Sequence, residues 1–478
     1  MSRARSLLTA LFCVFCSVTS GAQKPGKEVR LLFTGDILLS RQVRAELERR
    51  QESPWKDFEN LFREADWVAG NLEGAVGPPE DCLPSAPQDP CFAVPETSVT
   101  LLRAARFRAA SVENNHASDL GAAGRRQTRR ALERQGLLAL SYEDSPAFLR
   151  FGEITVAIIS LSAVRGRDGK RVEIPSIELR RKLRLARRLS NLVMVSVHWG
   201  SELIDWPTPE QRRGAEWLIR HGADVIFGHH PHVIQAPECV LGKPVFYSLG
   251  NHLFDQKYPA SKEGLVADCR IVDGKFRCGG IATRTPPGTS FPRNLGSDPS
   301  AEQALSGCEV SVSQSFTAGG FRLRPQASAP GMDRSILVLE AFKEGRLRWK
   351  TRPSSLVSLE PGRLAGRNGP ELLFALERHR SSLDDEEGLR PYVYALGPAG
   401  LIARWRGSAL AWPLLDAGLL PGTDDVICAL HRRDSFITLR PDSAGTRVAA
   451  YRWNGFGFSG LEDTEVVRRC RELFDAPD

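Results

Sequence analysis

Between Glu28 and Gln256 the chain repeats one pattern: a short apolar run, a polar residue suited to binding a metal or a proton, then a longer amphipathic stretch. This alternation predicts a layered α/β domain built on a mostly parallel sheet. The expected strands are Val29 to Phe33, Trp67 to Ala69, Ala109 to Val112, Thr155 to Leu161, Leu192 to Val197, Asp224 to Phe227 and Val245 to Ser248. One expected helix runs from Ala122 to Gln135 and stops at Gly136. Another opens at Thr208-Pro209-Glu210-Gln211, where an N-cap Thr, a first-turn Pro and a Gln three residues after the cap coincide.

The polar residues stand just beyond the strands. Asp36 follows the first strand, Asn71 and Glu73 the second, and Asn114-Asn115-His116 the third. His198 follows a fourth, and His229-His230-Pro231-His232 a fifth. Residues just past parallel strands collect along the carboxyl edge of the sheet, so the five segments are expected to converge. Carboxylate, imidazole and amide oxygen together suit zinc, manganese or iron, and a carboxylate such as Glu73 can bridge two ions. Two divalent ions activate a shared water and hold both oxygens of a phosphoryl transfer, while a nearby histidine protonates the leaving group. Singly, each residue has an ordinary explanation as a turn, a cap or a satisfied core histidine; the ordered set does not. His221, His379 and His431 fall in a helix or the tail and are given no chemical role.

The opening stretch carries Arg3 and Arg5, an apolar run from Leu7 to Val18 and then Ser20-Gly21-Ala22, which reads as a cleaved export signal over residues 1–22. The run is too short to span a bilayer, and no other segment is apolar for long enough. A periplasmic or cell-envelope protein, soluble or peripheral, is therefore expected. Of ten cysteines, eight lie beyond the signal, an even number suited to an oxidising compartment. Cys82 and Cys91 flank a Pro-rich loop. Cys269 and Cys278 lie symmetrically about Asp273-Gly274, so a hairpin turn there sets them opposite each other at bridging distance. No C-x-x-C spacing supports metal binding by cysteine. The net charge of +7 is modest. The Arg-rich runs Arg125 to Arg134 and Arg180 to Arg188 read as solvated helix faces, and no nucleic acid is expected as a partner.

Beyond the motif core (28–256), residues 257–333 are rich in Gly, Pro and Ser and read as an irregular stretch around the cysteine hairpin. Arg334 to Glu340 and Arg346 to Thr351 give one more strand pair, closing a first domain over 23–360. Pro361 to Asn368 reads as a linker and Glu371 to His379 as a helix. The tail, 361–478, with Trp405, Trp412 and Trp453, is expected to form a small β-rich domain.

Six motifs in order carry a resemblance: Phe33-Thr34-Gly35-Asp36, Gly70-Asn71-Leu72-Glu73, Asn114-Asn115-His116-Ala117-Ser118-Asp119, His198-Trp199-Gly200-Ser201-Glu202, Gly228-His229-His230-Pro231-His232 and Tyr247-Ser248-Leu249-Gly250-Asn251-His252. Together they resemble the CapA family of capsule-synthesis proteins, whose fold is similar to calcineurin-like metallophosphoesterases. The resemblance implies a metallophosphoesterase-like β-sandwich flanked by helices, a link to poly-γ-glutamate capsule synthesis and two divalent ions. Asp36 and His232 would hold the first ion, Glu73 would bridge, and Asn115, His198 and His230 would hold the second. His116 would be the acid beside the phosphate, oriented by Asp119. Ordinary phosphoesterases carry a histidine two residues after the first Asp. Leu38 stands there, so the first ion would be held weakly, with His252 a candidate replacement ligand.

Two functions follow as expectations. One is an exported metal-dependent hydrolase acting on a phosphate ester or an amide bond, in an envelope polymer or a phosphorylated small molecule. The other is a polymer-binding component of a capsule-export system, working beside membrane-bound assembly proteins with little turnover. A pure scaffold leaves the histidines unexplained.

Overall fold

Two sheets lie face to face in the computed structural model, which describes residues 28–83, 90–366, 369–380, 385–407, 410, 413–423, 425–432 and 445–474. The expected signal over 1–22, and Trp412, lie outside the described residues. In the first sheet, Val29–Ile37, Trp67–Leu72, Ala109–Ser111 and Leu138–Leu140 run parallel in that order. In the second, Ile154–Ser162, Leu192–His198, Val225–His229 and Lys243–Phe246 do the same, with an antiparallel strand at each edge. All seven expected strands form, with ends displaced by a few residues.

Side-chain alternation along Val29–Ile37 explains the layering. Leu31 and Phe33 point between the sheets, where Phe33 stacks on Phe227 with ring centroids 3.8 Å apart. Leu32 points the other way, into a cluster with Phe58, Phe62 and Leu132 beneath the helices of the first sheet. Helices Ile177–Leu189 and Pro209–Arg220 cover the outer face of the second sheet through Leu183, Ala186, Ala215 and Leu218. Pro209–Arg220 starts with the expected capping box between Thr208 and Gln211.

The stretch read as irregular contains two ten-residue strands, Glu263–Val272 and Lys275–Arg284, which extend the first sheet beside Val29–Ile37. Their glycines hid this, since Gly264, Gly279 and Gly280 have no side chain to carry a β pattern. Gly264 also needs that absence, because a Cβ there would meet the Asn251 carbonyl oxygen at 2.2 Å. Cys269 faces Cys278 across this hairpin, with Cα atoms 4.1 Å apart, and the two are bonded, as are Cys82 and Cys91. Cys239–Cys308 and Cys428–Cys470 complete four disulfides; sequence spacing gave no hint of either.

Two readings of the tail need correction. Pro361 and Gly362 close the strand Leu356–Gly362 rather than opening a linker, and the expected helix from Glu371 is the strand Leu372–Arg380. Both belong to an eight-stranded, largely antiparallel sheet with Leu373 and Ala375 on one face and Phe374 and Leu376 on the other. Burial on both faces makes the run apolar throughout, and periodicity then cannot tell strand from helix. Among the described residues no helix is long and apolar enough to cross a membrane.

Candidate metal centre

The carboxyl ends of both sheets open onto one place. Strand register brings Asp36 beside Asn71, and Asn71 beside Ser111, in the first sheet, and His198 beside His229 in the second. Near Asp36 the pairing with Trp67–Leu72 slips between Phe33 and Asp36, and a Cβ on Gly35 would meet the Gly250 carbonyl oxygen at 2.0 Å. Glycine there lets the chain close onto residue 250, and the Asp36 N–H donates to that same oxygen at 3.0 Å.

Asp36 is fully buried. Its Oδ1 accepts from Asn71 Nδ2 at 2.8 Å and lies 3.3 Å from His229 Nδ1. Its Oδ2 accepts the backbone N–H of His230 and lies 3.3 Å from His232 Nδ1. His230 and His232 adopt φ of 99° and 59°, a region that non-glycine residues enter at a cost of order 1–3 kcal/mol and that clusters at functional sites. His198 Nε2 and Asn115 Oδ1 are 2.8 Å apart, and the His198 and His230 rings are 4.8 Å apart. His232 Nε2 reaches to 3.5 Å from Glu73 Oε1.

Electrostatics sets the buried groups of the centre apart. Burial, reinforced by the negative charge of Asp36, pushes the Glu73 carboxyl well above its ordinary range, and neither of its oxygens has a hydrogen-bond partner. Burial would also raise Asp36, but its contacts with His229 and His232 hold it well below. Burial drives His198 well down, and burial plus His232 drives His230 down to about 3. His232 is carried the other way against burial, up to about 9, by Glu73 and Asp36. A buried Glu73 carboxyl without hydrogen-bond partners is costly to leave so, and carboxyl groups grouped with the imidazoles of His198, His230 and His232 are the donor set a divalent cation takes. The residues present therefore fit a metal.

Ligand atoms cluster in two groups, Asp36 with Glu73 and His198, and Glu202 with His230 and His232, each within 4.8 Å. Five of the six expected ligand residues fall in these groups and Asn115 joins them through its contact with His198, while Glu202 and His229 are added to the expected set. Glu202 is exposed, four residues past His198, on a loop pinned by the Leu203 N–H to the Pro231 carbonyl. His229, one of the strand-end residues not assigned to either ion, points a ring at Asp36 and leaves its Nε2 without a partner. Its position as the last residue of a strand was the available signal.

His116 sits at the rim, 6% exposed. Its Nδ1 lies 3.0 Å from Asp119 Oδ2, which also accepts the Phe92 N–H at 2.6 Å, while Asp119 Oδ1 pairs with Arg167 at 2.9 Å. The Phe92 ring stacks on the imidazole at 3.7 Å, just after the Cys82–Cys91 bridge. The ring is thereby held through Nδ1 and one face.

His252 is not at the site. Strand alternation turns Asn251 inward, where its Oδ1 lies 2.9 Å from His232 Nδ1, and turns His252 outward against Phe58 with ring centroids 4.9 Å apart. Neither His252 nitrogen has a hydrogen-bond partner, and burial lowers it to about 3. Leu38 is buried in the same outer cluster. His221 lies against Trp217, while His379 and His431 bond to Tyr392 and Tyr451, all clear of the centre.

Residues 30–256 match the profile of the bacterial capsule synthesis protein family PGA_cap. The chain is similar to the PGA biosynthesis protein CapA of Bacillus subtilis (strain 168), with 30% identity over 260 residues, covering 50% of this chain and 67% of that protein. It is also similar to the capsule biosynthesis protein CapA of Bacillus anthracis, with 26% identity over 269 residues, covering 52% and 66% respectively. The similarity thus spans about two thirds of each relative, and the second half of this chain lies largely outside it.

Proposed function

The chain belongs to the CapA-type bacterial capsule synthesis family, and from that premise we propose that it is an exported, metal-dependent hydrolase of the metallophosphoesterase type serving capsule or envelope-polymer synthesis. One observation carries the reading: a fully buried Glu73 without hydrogen-bond partners, ringed by Asp36, His198, His230 and His232. Asp36, Glu73, Asn115, His198, His230 and His232 would hold one or two divalent ions, with His229 and Glu202 in reach. Such ions supply Lewis-acid activation of water and of a phosphoryl or acyl oxygen. Asn71 holds the Asp36 carboxylate in one orientation, and Asn114 in turn holds Asn71 through a 3.1 Å hydrogen bond. Asp119 keeps the His116 proton on Nδ1 when the ring is neutral, so a proton taken up on Nε2 is the one available to a leaving group. Arg167 pairs with the other Asp119 oxygen and holds that carboxylate in place.

Four disulfides support export into an oxidising compartment. A binding-only role beside capsule-assembly membrane proteins is the second reading, favoured by Leu38 at a position where phosphoesterases carry a ligand. Metal analysis of the mature protein, paired with hydrolysis of an aryl phosphate, separates the two. Bound metal with metal-dependent turnover is expected; stoichiometric metal without turnover on phosphate esters or amides would leave the binding role.

A further inference from the structure

Both ends of the Cys82–Cys91 loop touch the residue that orients His116. The two bonded cysteines lie nine positions apart, with Cα atoms separated by 6.2 Å. Leu83, next to the first, donates its backbone N–H to the Asp119 carbonyl at 2.8 Å and accepts at its own carbonyl from Arg167 Nη1 at 2.8 Å. Phe92, next to the second, donates its N–H to Asp119 Oδ2 at 2.6 Å and lays its ring on the His116 imidazole, 3.7 Å between centroids and 19° between planes. Asp119 Oδ2 is also the oxygen that meets His116 Nδ1, at 3.0 Å. The carboxylate is therefore gripped from both sides of one disulfide, and one of those sides also covers the imidazole.

The bridge is what joins the two sides. A single helical turn, Pro79–Asp81, ends at Cys82, and the strand Ala93–Val94 begins two residues past Cys91. That strand runs parallel to Ala75–Val76, just past Glu73, so Phe92 is anchored on its C-terminal side. Gly74 permits the approach, since a Cβ there would meet the Phe92 carbonyl oxygen at 2.5 Å. No strand pairing among the described residues joins Cys82 or Leu83 to Cys91 or Phe92. The Cys269–Cys278 bridge has the same separation but a different setting. It spans a hairpin whose strands already pair from Glu263 to Val272, beside Leu31 and toward the other end of the first strand from Asp36.

We propose that the Cys82–Cys91 disulfide, acting through Phe92 and Asp119, is a positioning device for His116. It holds the Leu83 and Phe92 donors on Asp119 at once, which keeps Oδ2 on the imidazole Nδ1 and the ring flat against Phe92. Opening the bridge restores the loop's freedom, the donors exchange Asp119 for water, and the imidazole loses its fixed partner and its covered face. Only the expected effect on rate rests on the reading of His116 as proton donor.

The test is the side-chain nitrogen spectrum of isotope-labelled histidine in the full-length, zinc-loaded protein, with His116 assigned by its absence in His116→Asn. At a pH where the ring is neutral, the parent should show one His116 tautomer, protonated on Nδ1. C82S/C91S should keep its metal and average the two tautomers, while kcat on an aryl phosphate falls on the order of tenfold or more and KM stays within about twofold. Phe92→Leu, which keeps the N–H donor and drops the ring, should shift the same signals. C269S/C278S opens a loop of equal separation and should leave the His116 signals and kcat alone. If C82S/C91S does not fold, the parent is titrated with a phosphine reductant and each bridge is followed by alkylation mapping; the His116 signature should then disappear in step with alkylation of Cys82 and Cys91. A signature that persists with that bridge open, one unchanged in Phe92→Leu, or one lost equally in C269S/C278S would each overturn the proposal. Loss of the signature in C82S/C91S from a parent that turns over no ester would sink the hydrolase reading and leave the positioning device standing.

Discussion

The carboxyl edge of the two parallel sheets and the seam under the C-terminal sheet both bury charge, and they do so in opposite ways. At the seam, Arg184 lies between Asp416 at 2.7 Å and Glu360 at 3.3 Å, and Arg180 donates to the carbonyls of Leu473 and Phe474 that end the last helix. Those charges have partners supplied by the chain itself. At the metal centre both oxygens of Glu73 and both ring nitrogens of His229 lack a hydrogen-bond partner, whereas at the seam Asp416 and Glu360 each leave one oxygen so and bond through the other. Burial of charge by itself therefore says little about function. What separates an attachment site from a ligand site is whether the fold supplies the counter-charge.

The largest effect expected from breaking this contrast is catalytic. His116→Asn should keep metal and fold while losing on the order of 10²–10⁴-fold in rate, the usual worth of a general acid, with poor leaving groups hit hardest. An unchanged rate in a folded, metal-loaded preparation would mean that His116 only satisfies Asp119. At the seam, Arg184→Ala leaves Asp416 and Glu360 buried and unpaired, so a loss of about 3–5 kcal/mol is expected in denaturant unfolding, with metal retained. His198→Ala against His431→Phe sharpens the comparison further. The first should strip most metal, whereas the second, which loses a 3.0 Å hydrogen bond to Tyr451 far from the centre, should leave metal content alone. Equal metal in both would refute the ligand assignment.

Two smaller effects probe the scaffold. Replacing Cys269 and Cys278 by Ser opens a loop of nine residues' separation, worth roughly 2–3 kcal/mol in the chain-entropy account and readable as a lower thermal midpoint without metal loss. His252 gives a pH effect. Its folded value of about 3 lies below the unfolded value near 6.5, so between those limits the unfolded state binds the extra proton and stability falls as pH falls. From pH 6.5 to 5 that amounts to about 2 kcal/mol. His252→Leu should flatten this part of the stability profile, and an unaltered slope would show that the ring is not held neutral.

Strand identity in the motif core was legible because half of each strand's environment is simple: apolar runs of four to eight residues, ended by a polar residue at the sheet edge. The convergence of the strand-end residues was legible for the same reason, since a parallel strand fixes where its last residue goes. Glu202 was not, because it hangs from a loop whose path depends on the bond between Leu203 and Pro231. His252 misled because one residue of strand alternation separates the site from the aromatic core. The helix expected at Glu371 failed where both faces of a strand are buried and the pattern loses its period.

Sequence by itself determined the layered α/β core, its order of polar strand-end residues and two of the four disulfides, because each depends on local periodicity, turn chemistry or family motif. Tertiary structure alone decided which histidines face Asp36, and how Cys239 finds Cys308 and Cys428 finds Cys470. Those outcomes depend on contacts between residues tens to hundreds of positions apart, and no local pattern encodes the way two sheets and a third set of strands are set against one another.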